Sequence, residues 1–157
     1  MSYTPTNDPV DHGLFDITRT LLQQTDLCAL AQALTQNVRQ INLADSVHIL
    51  LWQSESRRVY LYSTDEQGCD IRYEDEPLLA SGPFRRMLSR PDVLHCTAAT
   101  FNETWPQLAA LDRYPSFAHY CLTPIAADGR IFGGCEFLRT QEKPWSDSDF
   151  SRLQTLT

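Results

Sequence analysis

The sequence has no run of apolar residues approaching the roughly 18 needed to cross a bilayer. It also lacks a secretory leader, since residues 1–12 (MSYTPTNDPVDH) carry neither a basic segment nor an apolar stretch. These absences predict a cytoplasmic chain with no membrane contact. Positive charge is scarce: 13 Lys and Arg stand against 20 Asp and Glu, for a net charge of −7. Nucleic-acid binding needs cationic groups to displace counterions from phosphates, so direct binding to nucleic acid is not expected.

Local pairs of metal ligands are missing as well. None of the five cysteines (Cys28, Cys69, Cys96, Cys121 and Cys135) is spaced CxxC or CxxxC, and the count is odd. A disulfide framework or a locally closed zinc site is therefore not expected, and the thiols read as small buried apolar groups. No HExxH, paired-carboxylate motif, Ser/His/Asp order or GxxxxGK[ST] phosphate loop occurs. The expectation is a non-enzyme without a metal or cofactor.

The residues present suit one domain, with 1–12 as a flexible leader and 13–157 as the folded part. Leu14, Ile17, Leu21 and Leu22 recur with helical spacing. A second helix follows Thr25 or Asp26 as N-cap, with a stripe of Leu27, Leu30, Ala31, Leu34, Val38 and Ile41. Ser46–Gln53 and Arg58–Ser63 then read as a β-hairpin, and Cys69–Glu74 as a weaker strand. Ser81-Gly82-Pro83 predicts a short helix over 83–89, ended by Arg90-Pro91. Val93–Cys96 reads as a short strand, and 97–116 as a short helix interrupted at Pro106. Phe117–Ala126 and Ile131–Arg139 form a hairpin through Asp128-Gly129, a pair that favours the type I′ turn. Ser146-x-x-Asp149 is a capping box, and Trp145 with Phe150 a hydrophobic staple. This last helix meets no stop signal before Thr157 and reads as continuing into a longer parent. Its Phe150, Leu153 and Leu156 stripe would seek the first helix of the same or another subunit.

This order of elements, and above all Cys121-Leu-Thr-Pro-Ile-Ala-Ala-Asp-Gly-Arg-Ile-Phe-Gly-Gly-Cys-Glu-Phe137, resembles a GAF domain across about residues 13–157. The segments GLFDITRTLLQQ, YEDE (73–76), LSRPD (88–92), ETWPQL (103–108), HYCL (119–122) and IFGGCEF (131–137) resemble the N-terminal region of a family of enteric bacterial transcriptional activators that respond to formate. The resemblance implies an α+β fold: a central, mainly antiparallel sheet of five to six strands, helices on one face and a ligand cavity on the other. It further implies a homodimer, a small carboxylate ligand (formate), and downstream ATPase and DNA-binding domains in the parent chain.

Number parity along the strands places Val47, Ile49, Leu51, Val59, Leu61, Cys135 and Phe137 on the helix-packed face. His48, Trp52, Tyr60, Tyr62 and Glu136 then fall on the cavity face. A small anion needs donors to replace its water. Arg72, Arg85, Arg86 and His119 are the candidates, with Tyr120 beside His119 and backbone N–H groups near Gly82–Phe84 in support. His48 and Glu136 interrupt apolar strands and read either as a structural pair or as polar groups of the pocket. Two other readings stay open: a dimerisation module without ligand, and a thiol-dependent reductase of the GAF type using Cys121 and Cys135.

Overall fold

The computed structural model describes residues 24–53, 58–65, 68–74, 82–110, 114 and 116–157, with side chains of 24–27, 53, 58, 65 and 68–74 excepted. The leader and the first expected helix lie outside the described residues.

The elements run α1 (Gln24–Gln40), β1 (Ser46–Gln53), β2 (Arg58–Asp65), β3 (Gly68–Glu74), α2 (Pro83–Ser89), β4 (Leu94–Thr97), α3 (Ala98–Thr104), α4 (Pro106–Ala109), β5 (His119–Ala127), β6 (Arg130–Arg139) and α5 (Asp147–Thr155). Six strands form one sheet in the order β3-β2-β1-β6-β5-β4, every pairing antiparallel. Strands β1 and β6, which carry apolar residues on both faces, are central. The chain turns between β5 and β6 through Asp128 (φ 52°) and Gly129 (φ 74°), the paired left-handed residues of a type I′ turn.

Each sheet face carries its own core. Val47, Ile49, Leu51, Tyr62, Cys121, Cys135 and Phe137 pack with Ala31 and Val38 of α1 and Leu153 of α5. On the other face Leu50, Val59, Leu61, Tyr120, Leu122 and Leu138 meet Phe84 and Met87 of α2, Phe101 of α3 and Leu108 of α4. Gly134 lets α2 come close, since a Cβ there would lie 2.9 Å from Leu122 Cδ1 and 3.1 Å from Met87 Cε.

Three expectations need correction. Val59 and Leu61 share the face of His48, whereas Tyr60 and Tyr62 sit with Leu51 and Ile49 on the α1 side. The register pairs Trp52 with Val59 and Gln53 with Arg58, so odd numbers oppose even ones across this hairpin. Number parity marks a face within one strand only, because directly opposed residues share a face whatever their numbers. In α1, Thr25 and Asp26 lie inside the helix, and its buried positions are Ala31, Thr35 and Val38. Leu30 and Ile41 are each 44 % exposed, on the solvent side of that stripe. The α5 stripe, by contrast, packs within its own chain, one of the two placements expected, with Leu153 fully buried and Phe150 and Leu156 partly buried on the same core. Finally, Cys28 is disulfide-bonded, while Cys96, Cys121 and Cys135 are free thiols.

Candidate functional site

Glu136 is 1 % exposed in the middle of β6, so its carboxylate has no water to rely on. Protein donors take that place: Tyr114 and Tyr120 each give a hydroxyl hydrogen bond to Oε1 at 2.8 Å, and His48 Nδ1 faces Oε2 at 3.0 Å. Register explains the convergence, since Glu136 pairs with His48 on β1 and with Leu122 on β5, one step along the same face from Tyr120. Burial, and next the Glu136 carboxylate, hold the Tyr120 phenol well above its usual range, so it stays a donor. An aromatic cluster seals the network, with the Phe101 ring 4.8 Å from Tyr120, 5.2 Å from Tyr114 and 5.3 Å from Trp105.

Beside this cluster a partly open cavity of about 300 Å³ lies between α2, β4 and α3. Arg86 and Arg90 supply its positive charge and Asp92 its negative charge, with Met87, Cys96 and Trp105 as apolar wall. His95 belongs to the lining, yet its ring stacks on Phe150 of α5 at 4.5 Å, on the other side of the sheet. Burial pushes the Cys96 thiol up to about 11, against a smaller opposing pull from Arg86.

The residues picked from sequence thus separate into groups. His48, Glu136 and Tyr120 come together, joined by Tyr114, which lay in a segment without clear periodicity. They form a sealed network and do not line the cavity. Arg86 lines the cavity; Arg85 is exposed on α2 outside its wall. Trp52 packs against the same core as Leu50 and Val59, whereas Tyr62 is on the α1 face. His119 is also on the α1 face, its Nε2 2.9 Å from the Glu142 carbonyl and its ring 6.1 Å from Trp145. The Arg72 side chain is outside the described residues; its backbone is in the edge strand β3, opposite Leu61. At Gly82 the helix it caps has only seven residues, a weak source of anion-binding dipole. Arg90 was missed, although it ends the same short helix.

The topology and the position of the cavity decide the fold class. Superposition matches the GAF domain of an Acinetobacter phosphoenolpyruvate-protein phosphotransferase over 96 % of this chain and 89 % of that one, with a TM-score of 0.63 and 16 % identity. The fold is that of a GAF domain. The corresponding domain from Coxiella burnetii gives a TM-score of 0.61 at 14 % identity, covering 90 % of this chain and 86 % of that one. A type II free methionine-R-sulfoxide reductase from Thermoplasma acidophilum gives 0.57 at 16 % identity, covering 82 % and 85 %. No protein-family model matches the chain.

By sequence, this GAF domain is 59 % identical over all 157 residues to a formate hydrogenlyase transcriptional activator of Salmonella typhimurium strain LT2. It is 57 % identical over the same span to the protein of that name in Escherichia coli K12. The chain spans 23 % of the length of these relatives. The two thiols named for a reductase do not suit that chemistry. Cys121 and Cys135 are buried, and desolvation pushes each up to about 12, where a nucleophilic thiolate is not available at neutral pH. The name of these relatives is that of transcriptional activators. Among the described residues no His, Cys, Asp and Glu cluster could hold a metal, and no helix is long and apolar enough to cross a membrane.

Proposed function

We propose that this GAF domain is the small-carboxylate sensor of a larger transcriptional activator, and that formate is its ligand. Its site is the cavity between α2, β4 and α3. The observation that carries this reading is a wall with two guanidinium groups, Arg86 and Arg90, on a protein whose net charge is −7. Carboxylates are held by paired N–H donors, and arginine offers them in a planar fork. The ligand comes from the relatives, whose name ties them to formate hydrogenlyase. The parent would supply ATPase and DNA-binding modules, and the domain would act as a homodimer.

A second reading is a dimerisation module that takes no ligand. It is favoured by the filling of the second face, where Phe101, Tyr120 and the Glu136 network leave the open cavity no buried floor of polar groups.

Calorimetric titration with formate at constant ionic strength separates the two. The sensor reading requires saturable heat from the wild type, with one saturable component of it lost in R86Q/R90Q. Saturation only in a longer chain that includes the following domain, or in neither, removes the site from this domain.

A further inference from the structure

Arg139 closes the far end of β6 with its side chain only 6 % exposed. A guanidinium never sheds its charge in a protein, so burying it is costly unless its donors are paired. Among the described residues, Nε and Nη1 have no hydrogen-bond partner. Nη2 has two weak ones, the Asn42 carbonyl at 3.3 Å and Gln141 Oε1 at 3.5 Å. One face of the guanidinium lies over the Trp145 ring, 5.9 Å from its centroid.

The guanidinium borders a cavity of about 40 Å³, walled also by Arg39, Asn42, Ala44, Asp45 and Gln141. Arg39 is fixed at the rim by an Nε hydrogen bond to the Asp45 carbonyl at 2.7 Å. The Asp45 carboxylate forms an ion pair with neither arginine: its Oδ2 accepts from Thr140 N at 2.7 Å and Thr140 Oγ1 at 2.9 Å, and the ion pair among the described residues is His48–Glu136. Two cations therefore share one small space with a single carboxylate that is turned to other donors. At roughly 10–15 Å³ for each water-sized occupant, the space takes about three non-hydrogen atoms.

We propose that this cavity binds a small planar oxyanion of formate size, held by Arg139 with Arg39 at its rim. It is separate from the Arg86–Arg90 cavity and does not rest on it, being on the α1 side of the sheet. The anion would bridge the α1–β1 turn, the end of β6 and the segment leading to α5. It would thus fix the Trp145 anchor of that helix.

The test is the thermal unfolding midpoint of this chain in sodium formate and sodium nitrite, against sodium gluconate at equal ionic strength. Gluconate carries the same carboxylate but is too large for the cavity. Because Arg139 is buried and its substitution would disturb the fold, the variants are R39Q, R86Q/R90Q and Q141E, the last placing a tethered carboxylate beside Arg139. At tenfold the half-saturating concentration, formate and nitrite should raise the midpoint by about 3–6 °C. R39Q should move half-saturation several-fold higher. R86Q/R90Q should keep a formate response, and Q141E should raise the midpoint in gluconate and, combined with R86Q/R90Q, abolish most of the response that remains. Equal midpoints in formate and gluconate for the wild type overturn the proposal, leaving water as the occupant. So does a response that survives intact in both R39Q and Q141E, or one that disappears in R86Q/R90Q.

Discussion

Tyr120 donates its hydroxyl to Glu136 Oε1 at 2.8 Å, diagonally across the β5–β6 pair. Both residues are at or below 1 % exposure, so neither can exchange this bond for one to water. Tyr120→Phe should cost about 1–2 kcal/mol by leaving the carboxylate short of one donor. Glu136→Ala removes the acceptor for three groups at once and should cost about 3 kcal/mol or more. Urea denaturation with a common slope checks both, and equal losses would contradict the larger share assigned to the common acceptor.

Formate binding should be weak. Three heavy atoms at roughly −1.5 kcal/mol each set a ceiling of about −4.5 kcal/mol, or a dissociation constant near 0.5 mM. Desolvation of the anion makes several millimolar the expected range. A micromolar constant would point to a larger ligand than formate.

The thiols offer a chemical readout. With Cys121 and Cys135 pushed up to about 12 from an ordinary 9.0, each has roughly a thousandfold less thiolate than an exposed cysteine near neutral pH. Native alkylation should therefore be slow at both and become rapid on unfolding. Rapid native labelling of either would reopen the reductase reading.

The capping box of α5 adds a pH dependence. Ser146 Oγ accepts from Asp149 N at 3.2 Å, and Asp149 Oδ2 accepts from Ser146 N at 2.9 Å. That backbone bond is the main cause holding the Asp149 carboxyl below its ordinary 3.8. Its stabilisation is complete above the unfolded value and is lost as pH falls through the lower folded one. Ser146→Ala should cost about 1 kcal/mol at neutral pH. The pH dependence below about 4 should flatten in Asp149→Asn, as followed by thermal melts.

At Gly133 a Cβ would collide with the Leu50 carbonyl, which is backbone and cannot move aside. Gly133→Ala should prevent normal pairing of β1 with β6 and abolish soluble folded protein. Gly134→Ala meets the ends of Leu122 and Met87 instead, and should fold with a loss of about 1–3 kcal/mol. Soluble yield, and circular dichroism of whatever protein is recovered, distinguish the two variants.

Local chemistry was legible in the sequence. The Pro83 helix start, the Asp128-Gly129 turn and the Ser146 capping box all depend on neighbouring residues, and each is found where its signal lies. The central position of β1 and β6 followed from their apolar composition. What failed to show was relational. The face of β2 depends on hairpin register, which alternation alone cannot carry across a turn. Tyr114 and Arg139 become informative only when the fold brings 48 to 136 and 42 to 139. The same limit split the proposed donors, placing His119 and Arg86 on opposite faces of one sheet.

The sheet order also fixes how the chain must assemble. Strands β1–β2–β3 and β4–β5–β6 are each built from neighbours in sequence, and the β1–β6 ladder alone joins the halves. His48 and Glu136, 88 positions apart, meet in that ladder. Closing so large a loop must precede completion of either core, so the step should govern the refolding rate. Until it occurs, β1 and β6, apolar on both faces, each present an unpaired edge, open to the wrong partner. The joint between the halves is thus the point where synthesis and refolding are most exposed to aggregation.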